Sequence, residues 1–190
     1  MTTLAPTLYT RTFPRIAGWL RDLTLTVLGA LLVAVLAQVK IPLPFTPVPL
    51  TGQTFAVLLV AATLGSKRGA AAMALYIALG AFGLPVFAGG ASGITYLSGA
   101  TLGYLIGFVF AAYIIGLLAE RGLERRIRTS IIPFLVGTII IYTCGVTWLA
   151  IILGSFSKAI TLGLVPFLIG DAIKLVAAAL ALPAAWKLAK

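Results

Sequence analysis

The chain alternates between long apolar runs and short polar or proline-rich breaks, and most of the runs are long enough to be membrane spans. The first, residues 20 to 38, is built almost wholly from Leu, Val, Ala and Thr. About 20 such residues in a helix cross roughly 30 Å of hydrocarbon. Comparable runs follow at about 68 to 84, 98 to 119, 131 to 153 and 165 to 186. A cleaved signal peptide is the competing reading of the first run, because Arg11 and Arg15 precede it. The run outlasts the about 7–15 residues of such segments and no small-residue cleavage site follows, so it is read as a retained span. After it, Pro42, Pro44, Pro47 and Pro49 forbid a continuous helix, since each removes a backbone donor and restricts its predecessor. The next run, 52 to 65, is too short to span comfortably, so the extended proline stretch is expected to dip into the protein and complete that crossing. The pattern predicts an all-α membrane protein of one domain over 1–190, a six-transmembrane-helix bundle preceded by a segment at 1–19.

Composition agrees: 61% of the 190 residues are apolar and 9% charged, against about 25% charged in soluble domains. A core of this size has too little volume to hide that much apolar surface, so lipid must be the solvent. Histidine is absent, Cys144 is the single cysteine, and the acids are Asp22, Glu120, Glu124 and Asp171. That inventory leaves little for metal ligation or acid/base catalysis and no intrachain disulfide. No metal, no cofactor and no enzymatic activity are therefore expected.

The basic residues settle an orientation. Placing the N-terminus in the cytoplasm puts eleven of them inside, namely Arg11, Arg15, Arg21, Lys67, Arg68, Arg121, Arg125, Arg126, Arg128, Lys187 and Lys190, and leaves two, Lys40 and Lys158, outside. Both termini are then cytoplasmic. The +10 formal charge follows from this asymmetry and calls for no nucleic acid. The cluster from Arg121 to Arg128 is also suited to anionic lipid or a cytoplasmic partner.

Few polar groups remain inside the runs. Asp171 and Lys174 lie three residues apart in Ile-Gly-Asp-Ala-Ile-Lys, on one helix face of the last run. A charge near the bilayer centre costs on the order of 3 kcal/mol on insertion scales, so such a pair faces the bundle interior and marks either a structural ion pair or a ligand site. Gln53 opens the short run and Tyr76 lies in the next; each reads either as a polar tip in a shared cavity or as a helix cap and an interfacial aromatic, respectively. The stretch Gly-Leu-Pro-Val-Phe-Ala-Gly-Gly-Ala-Ser-Gly, 83 to 93, is either a tight turn or a loop whose glycines, Gly89 and Gly90 among them, let backbone approach a ligand beside Phe87. It has neither the spacing nor the lysine of a phosphate loop.

Three motifs in this order carry a family resemblance: Ile-Pro-Leu-Pro-Phe-Thr-Pro-Val-Pro-Leu-Thr-Gly-Gln-Thr (41–54), Gly-Leu-Pro-Val-Phe-Ala-Gly-Gly (83–90) and Val-Pro-Phe-Leu-Ile-Gly-Asp-Ala-Ile-Lys (165–174). Together they resemble the BioY family, the biotin-binding S subunits of energy-coupling-factor (ECF) transporters. Ser-Gly-Ala-Thr-Leu-Gly-Tyr at 98–104 departs from the family's usual Gly-Pro-Thr-Gly-Gly-Tyr, which weakens any ligand role for Thr101. The resemblance implies a six-helix protein of the cell membrane with both ends cytoplasmic and a pocket beneath the loops joining helices 1 to 2 and 3 to 4. It implies biotin as ligand and, as partners, a coupling module of a transmembrane T subunit and two ATPases, which use the ATP. On that footing Asp171 is expected to accept a ureido N–H, and Lys174 either holds Asp171 charged or reaches the carboxylate. Tyr76, Phe87 and Tyr96 are expected to enclose the ring, with Gln53, Gly89 and Gly90 completing the contacts. Ala30, Ala34 and Ala37 on the first helix are expected to meet the module, although the same spacing serves any close helix contact. An S subunit for another vitamin, a stand-alone secondary carrier and an intramembrane enzyme are the competing functions.

Overall fold

The computed structural model describes residues 3–188, so Lys190 of the charge count lies outside the described residues. The helices are α1 (Leu4–Thr12), α2 (Gly18–Ala37), α3 (Gln53–Leu64), α4 (Ser66–Ala81), α5 (Ile94–Leu97), α6 (Leu102–Glu120), α7 (Ile127–Leu153), α8 (Phe156–Gly163) and α9 (Leu168–Leu188). Two short antiparallel strands, β1 (Lys40–Ile41) and β2 (Leu50–Thr51), pair Lys40 with Thr51 and Ile41 with Leu50. The prolines at 42 to 49 form the loop of this small ribbon. One end of the bundle carries the ribbon and the loop 83–93; the opposite end carries most of the arginines.

Four helical stretches are long and apolar enough to cross a membrane: α2, α6, α7, and Phe156–Lys187, which contains α8 and α9. Their outward faces are apolar, as with Leu23, Leu31, Phe110, Ile139 and Ile173, which suits a surface facing lipid tails. α3 has only 12 residues and is joined to α4 through Gly65 alone, at φ +86. That left-handed conformation favours glycine.

α6 packs against α3, α4 and α7. Small residues set how closely: a Cβ on Gly107 would sit 3.0 Å from Ile141 Cα of α7, and one on Gly116 would collide with the backbone of Gly65 and Ser66. Ala30, Ala34 and Ala37 belong to the same kind of seam. They are buried in the bundle, and a Cβ on the neighbouring Gly29 would meet Val60, Leu64 and Ala72 of α3 and α4. The alanines expected to meet the coupling module thus face the bundle in this structure, and the face that α2 leaves open is lined by Leu23, Val27, Leu28, Leu31 and Val35. The last run is also subdivided. α8 and a 3-10 turn at Val165–Phe167 precede α9, so Asp171 stands in the first turn of α9 rather than deep in a continuous helix. A helix N-terminus favours an anion there.

Candidate functional site

Asp171 and Lys174 form the centre of a polar cluster that joins α9 to the ribbon, α3 and α7. Lys174 Nζ donates to Asp171 Oδ1 (2.8 Å), to Thr54 Oγ1 (2.9 Å) and to the carbonyl of Thr51 (2.7 Å). An ammonium has three donors, so all of them are engaged. Thr54 Oγ1 donates to Asp171 Oδ1 at 3.1 Å and the Tyr142 hydroxyl donates to Oδ2 at 2.6 Å. The pair is electrically neutral, nearly buried and well bonded, the condition under which buried charges are tolerated. One lone-pair position of Oδ2 is left beyond these bonds, since each carboxylate oxygen accepts about two.

This cluster borders a chamber of about 50 Å³. Its walls are Val48 and Pro49 of the ribbon loop, Leu50 of β2, Gln53 and Thr54 of α3, Tyr96 after the loop 83–93, Tyr104, Leu105 and Phe108 of α6, Ile141 and Tyr142 of α7, and Phe167 before α9. Beside it lies a wider outer chamber of about 390 Å³, lined by Lys40, Leu43, Thr46, Pro47 and Thr95 among others. Pro49, Tyr96 and Thr101 line both and form the partition between them. The ribbon loop is fixed over the site by Thr46 Oγ1, which donates to the carbonyl of Leu162 (2.7 Å). The dip expected of the proline stretch is made by Val48, buried in the core cluster and exposed to the chamber.

Of the residues singled out from the sequence, Asp171, Lys174, Gln53 and Tyr96 line the deep chamber, and Tyr76, Phe87, Gly89 and Gly90 do not. The last four stand behind it. Gln53 Nε2 donates to the Tyr76 hydroxyl at 2.6 Å, and Thr51 Oγ1 donates to Gln53 Oε1 at 2.9 Å, so Tyr76 holds the glutamine in place. Phe87 is fully buried, stacked on Tyr96 (4.8 Å between centroids) and edge-on to Tyr76 (5.6 Å). Its ring fills the notch left by Gly80 of α4, where a Cβ would collide with it. Phe87 is therefore the anchor of its loop, and Phe87 and Tyr76, expected to enclose the ring, are packed behind Tyr96 and Gln53 in this structure rather than lining the chamber. Gly89 and Gly90 take φ +70 and +78, and Gly89 N donates to the carbonyl of Ala37, tying the loop to the end of α2.

Sequence reasoning missed Thr54, Tyr104, Phe108 and Tyr142. Thr54 follows Gln53 directly, and Tyr142 is the polar aromatic in the middle of the run 131–153; that placement, away from a membrane interface, was the available signal.

The fold, a helical bundle capped at one end by a ribbon and a glycine-rich loop, is that of a solved S-component. The arrangement matches a crystal structure of the S-component for biotin from an ECF-type ABC transporter, with a TM-score of 0.77 at 24% identity over 90% of this chain and 95% of that one. The chain belongs to the BioY family, whose model matches residues 5–190. It is 38% identical to a biotin transporter BioY of Rhizobium etli, over 84% of this chain and 90% of the relative. It is 46% identical to that of Thermotoga maritima, over 74% and 82%.

Proposed function

We infer that this chain captures biotin for import across the cytoplasmic membrane, as the substrate-binding subunit of an ECF-type ABC transporter. Six crossings place the ribbon end outside and the arginine end, with both termini, in the cytoplasm. α3 and α4 make the two short crossings, and the ribbon loop fills in what α3 lacks. The coupling module, a T subunit with two ATPases, supplies the ATP hydrolysis.

The observation that carries the reading is the bonded Asp171–Lys174 pair at the wall of a chamber in a BioY chain. The ureido group of biotin offers two N–H donors and a carbonyl. Asp171 Oδ2 has a position to accept one N–H, and the second amide hydrogen of Gln53 suits the carbonyl. Tyr96, Tyr104 and Phe108 offer aromatic faces for the apolar thioether ring. Lys174, with its three donors engaged, holds Asp171 in place rather than reaching the ligand's tail. A chamber of about 50 Å³ holds a few waters, so seating the ring requires the partition of Pro49, Tyr96 and Thr101 to yield.

Calorimetry on the purified chain with biotin, thiamine and riboflavin tests the ligand: saturable heat with biotin alone is expected, and binding of another vitamin in its place overturns the assignment. Uptake into vesicles tests the partner. Import is expected only with the module and ATP present, and import by the chain alone identifies a secondary carrier instead.

A further inference from the structure

The reading above leaves one part of the ligand without a counter-charge. Biotin ends in a carboxylate, while the deep cluster is neutral in sum and its lysine is fully hydrogen-bonded. We propose that the outer chamber is the subsite for this anionic tail and that Lys40 is its counter-ion; the proposal rests on biotin being the ligand.

Lys40 lines the outer chamber. Among the described residues, no carboxylate lies within ion-pair distance of its ammonium. Lys158, the other basic residue at this end, lines neither chamber. Position follows from the ribbon. Lys40 is the register partner of Thr51, whose carbonyl accepts from Lys174, so the two lysines bracket one strand pair, Lys174 on the inner chamber and Lys40 on the outer. A ring lodged beside Asp171 with a flexible tail passing the Tyr96 partition brings the carboxylate into the chamber that holds Lys40.

The loop 83–93 shapes the approach. The lysine stem crosses Gly89 so closely that a Cβ there would sit 2.8 Å from Lys40 Cδ and 3.3 Å from Nζ. The glycine thus leaves room for the lysine stem to pass beside the loop at the rim of the outer chamber. The left-handed φ of +70 already favours glycine at this position, and the passage of the lysine stem adds a second reason for it.

The test pairs variants of the full chain in detergent with two ligands that differ only in tail charge, biotin and its primary amide. The parent is expected to bind biotin about fivefold more tightly than the amide, in keeping with a partly solvated charge pair. Lys40→Gln is expected to lose that preference by weakening biotin while leaving the amide within twofold; Lys40→Arg retains it, and high salt shrinks it. Equal affinities for the two ligands in the parent, or a Lys40→Gln variant that weakens both alike or neither, overturns the subsite. If the parent binds neither ligand, the functional reading fails instead.

Discussion

The two ends of the bundle both hold buried or half-buried acids, and they use them differently. At the ribbon end Asp171 receives Lys174, Thr54 and Tyr142 from three directions and still faces a chamber. At the arginine end the acids close seams. Asp22 Oδ1 accepts from Arg21 Nε (2.9 Å) and from Arg68 Nε of α4 (2.8 Å). Glu120 Oε1 accepts from the backbone N (2.7 Å) and hydroxyl (2.8 Å) of Ser66, closing the start of α4 against the end of α6. Glu124 sits under Trp186, whose Nε1 donates to it at 3.1 Å, while Arg125 lies over the same indole and 3.6 Å from the carboxylate. An ion pair inside an apolar bundle therefore does not by itself mark a ligand site, and neither does a cavity, since Arg21, Arg68 and Glu120 line one at the arginine end; what sets the ribbon end apart is a chamber walled by Tyr96, Tyr104, Phe108 and Tyr142 around the pair.

If that distinction is right, the largest effect falls on Asp171→Asn. Calorimetry should show biotin affinity down by roughly 100-fold, the scale of a lost bond to a charged acceptor, with Lys174 stranded as well. Retained affinity would break the comparison at its strongest point. Gly80→Ala should come next: with the notch closed, Phe87 is displaced, at about 1–3 kcal/mol for overpacking, and the loop and Tyr96 move with it. Melting temperature and affinity should fall together. Tyr142→Phe keeps the ring and removes one bond to Asp171, so an affinity loss of about five- to tenfold with unchanged melting is expected.

The arginine end should answer through stability alone. Burial pushes the Glu124 carboxyl above its ordinary value of 4.5. A raised acid contributes stability that is whole below that ordinary value and is lost as pH rises through the raised one. Glu124→Gln should flatten this decline in thermal melting, stabilise the protein slightly at neutral pH and leave biotin binding alone. Asp22→Asn should have the smallest effect, under about 1 kcal/mol for a half-exposed pair and weaker still in salt.

How legible all this was depends on the kind of signal. The apolar runs and the Asp171–Lys174 spacing are visible in one dimension, because charge is costly in lipid wherever the helix turns. Helix rotation is not. In a soluble helix a polar face fixes which side is buried, but Ala30, Ala34 and Ala37 sit in a helix apolar on every side, and nothing in the sequence distinguishes the seam from the lipid face. Tyr142 was only half hidden: its place in mid-run marks it as unusual, but a tyrosine there reads alike whether it points at a cavity or at a neighbour. Phe87 was visible as the one aromatic of a glycine-rich loop, yet the notch that claims it belongs to Gly80, in another element.

The shortness of α3 has a geometric consequence. Twelve residues reach about 18 Å at 1.5 Å per residue, leaving roughly 12 Å of a 30 Å hydrocarbon layer to be covered by folded loop instead of helix. On the proposed six-crossing reading, a guest seated at the head of α3 rests about 12 Å inside the hydrocarbon layer, and what is left to cross is little more than the length of that stub.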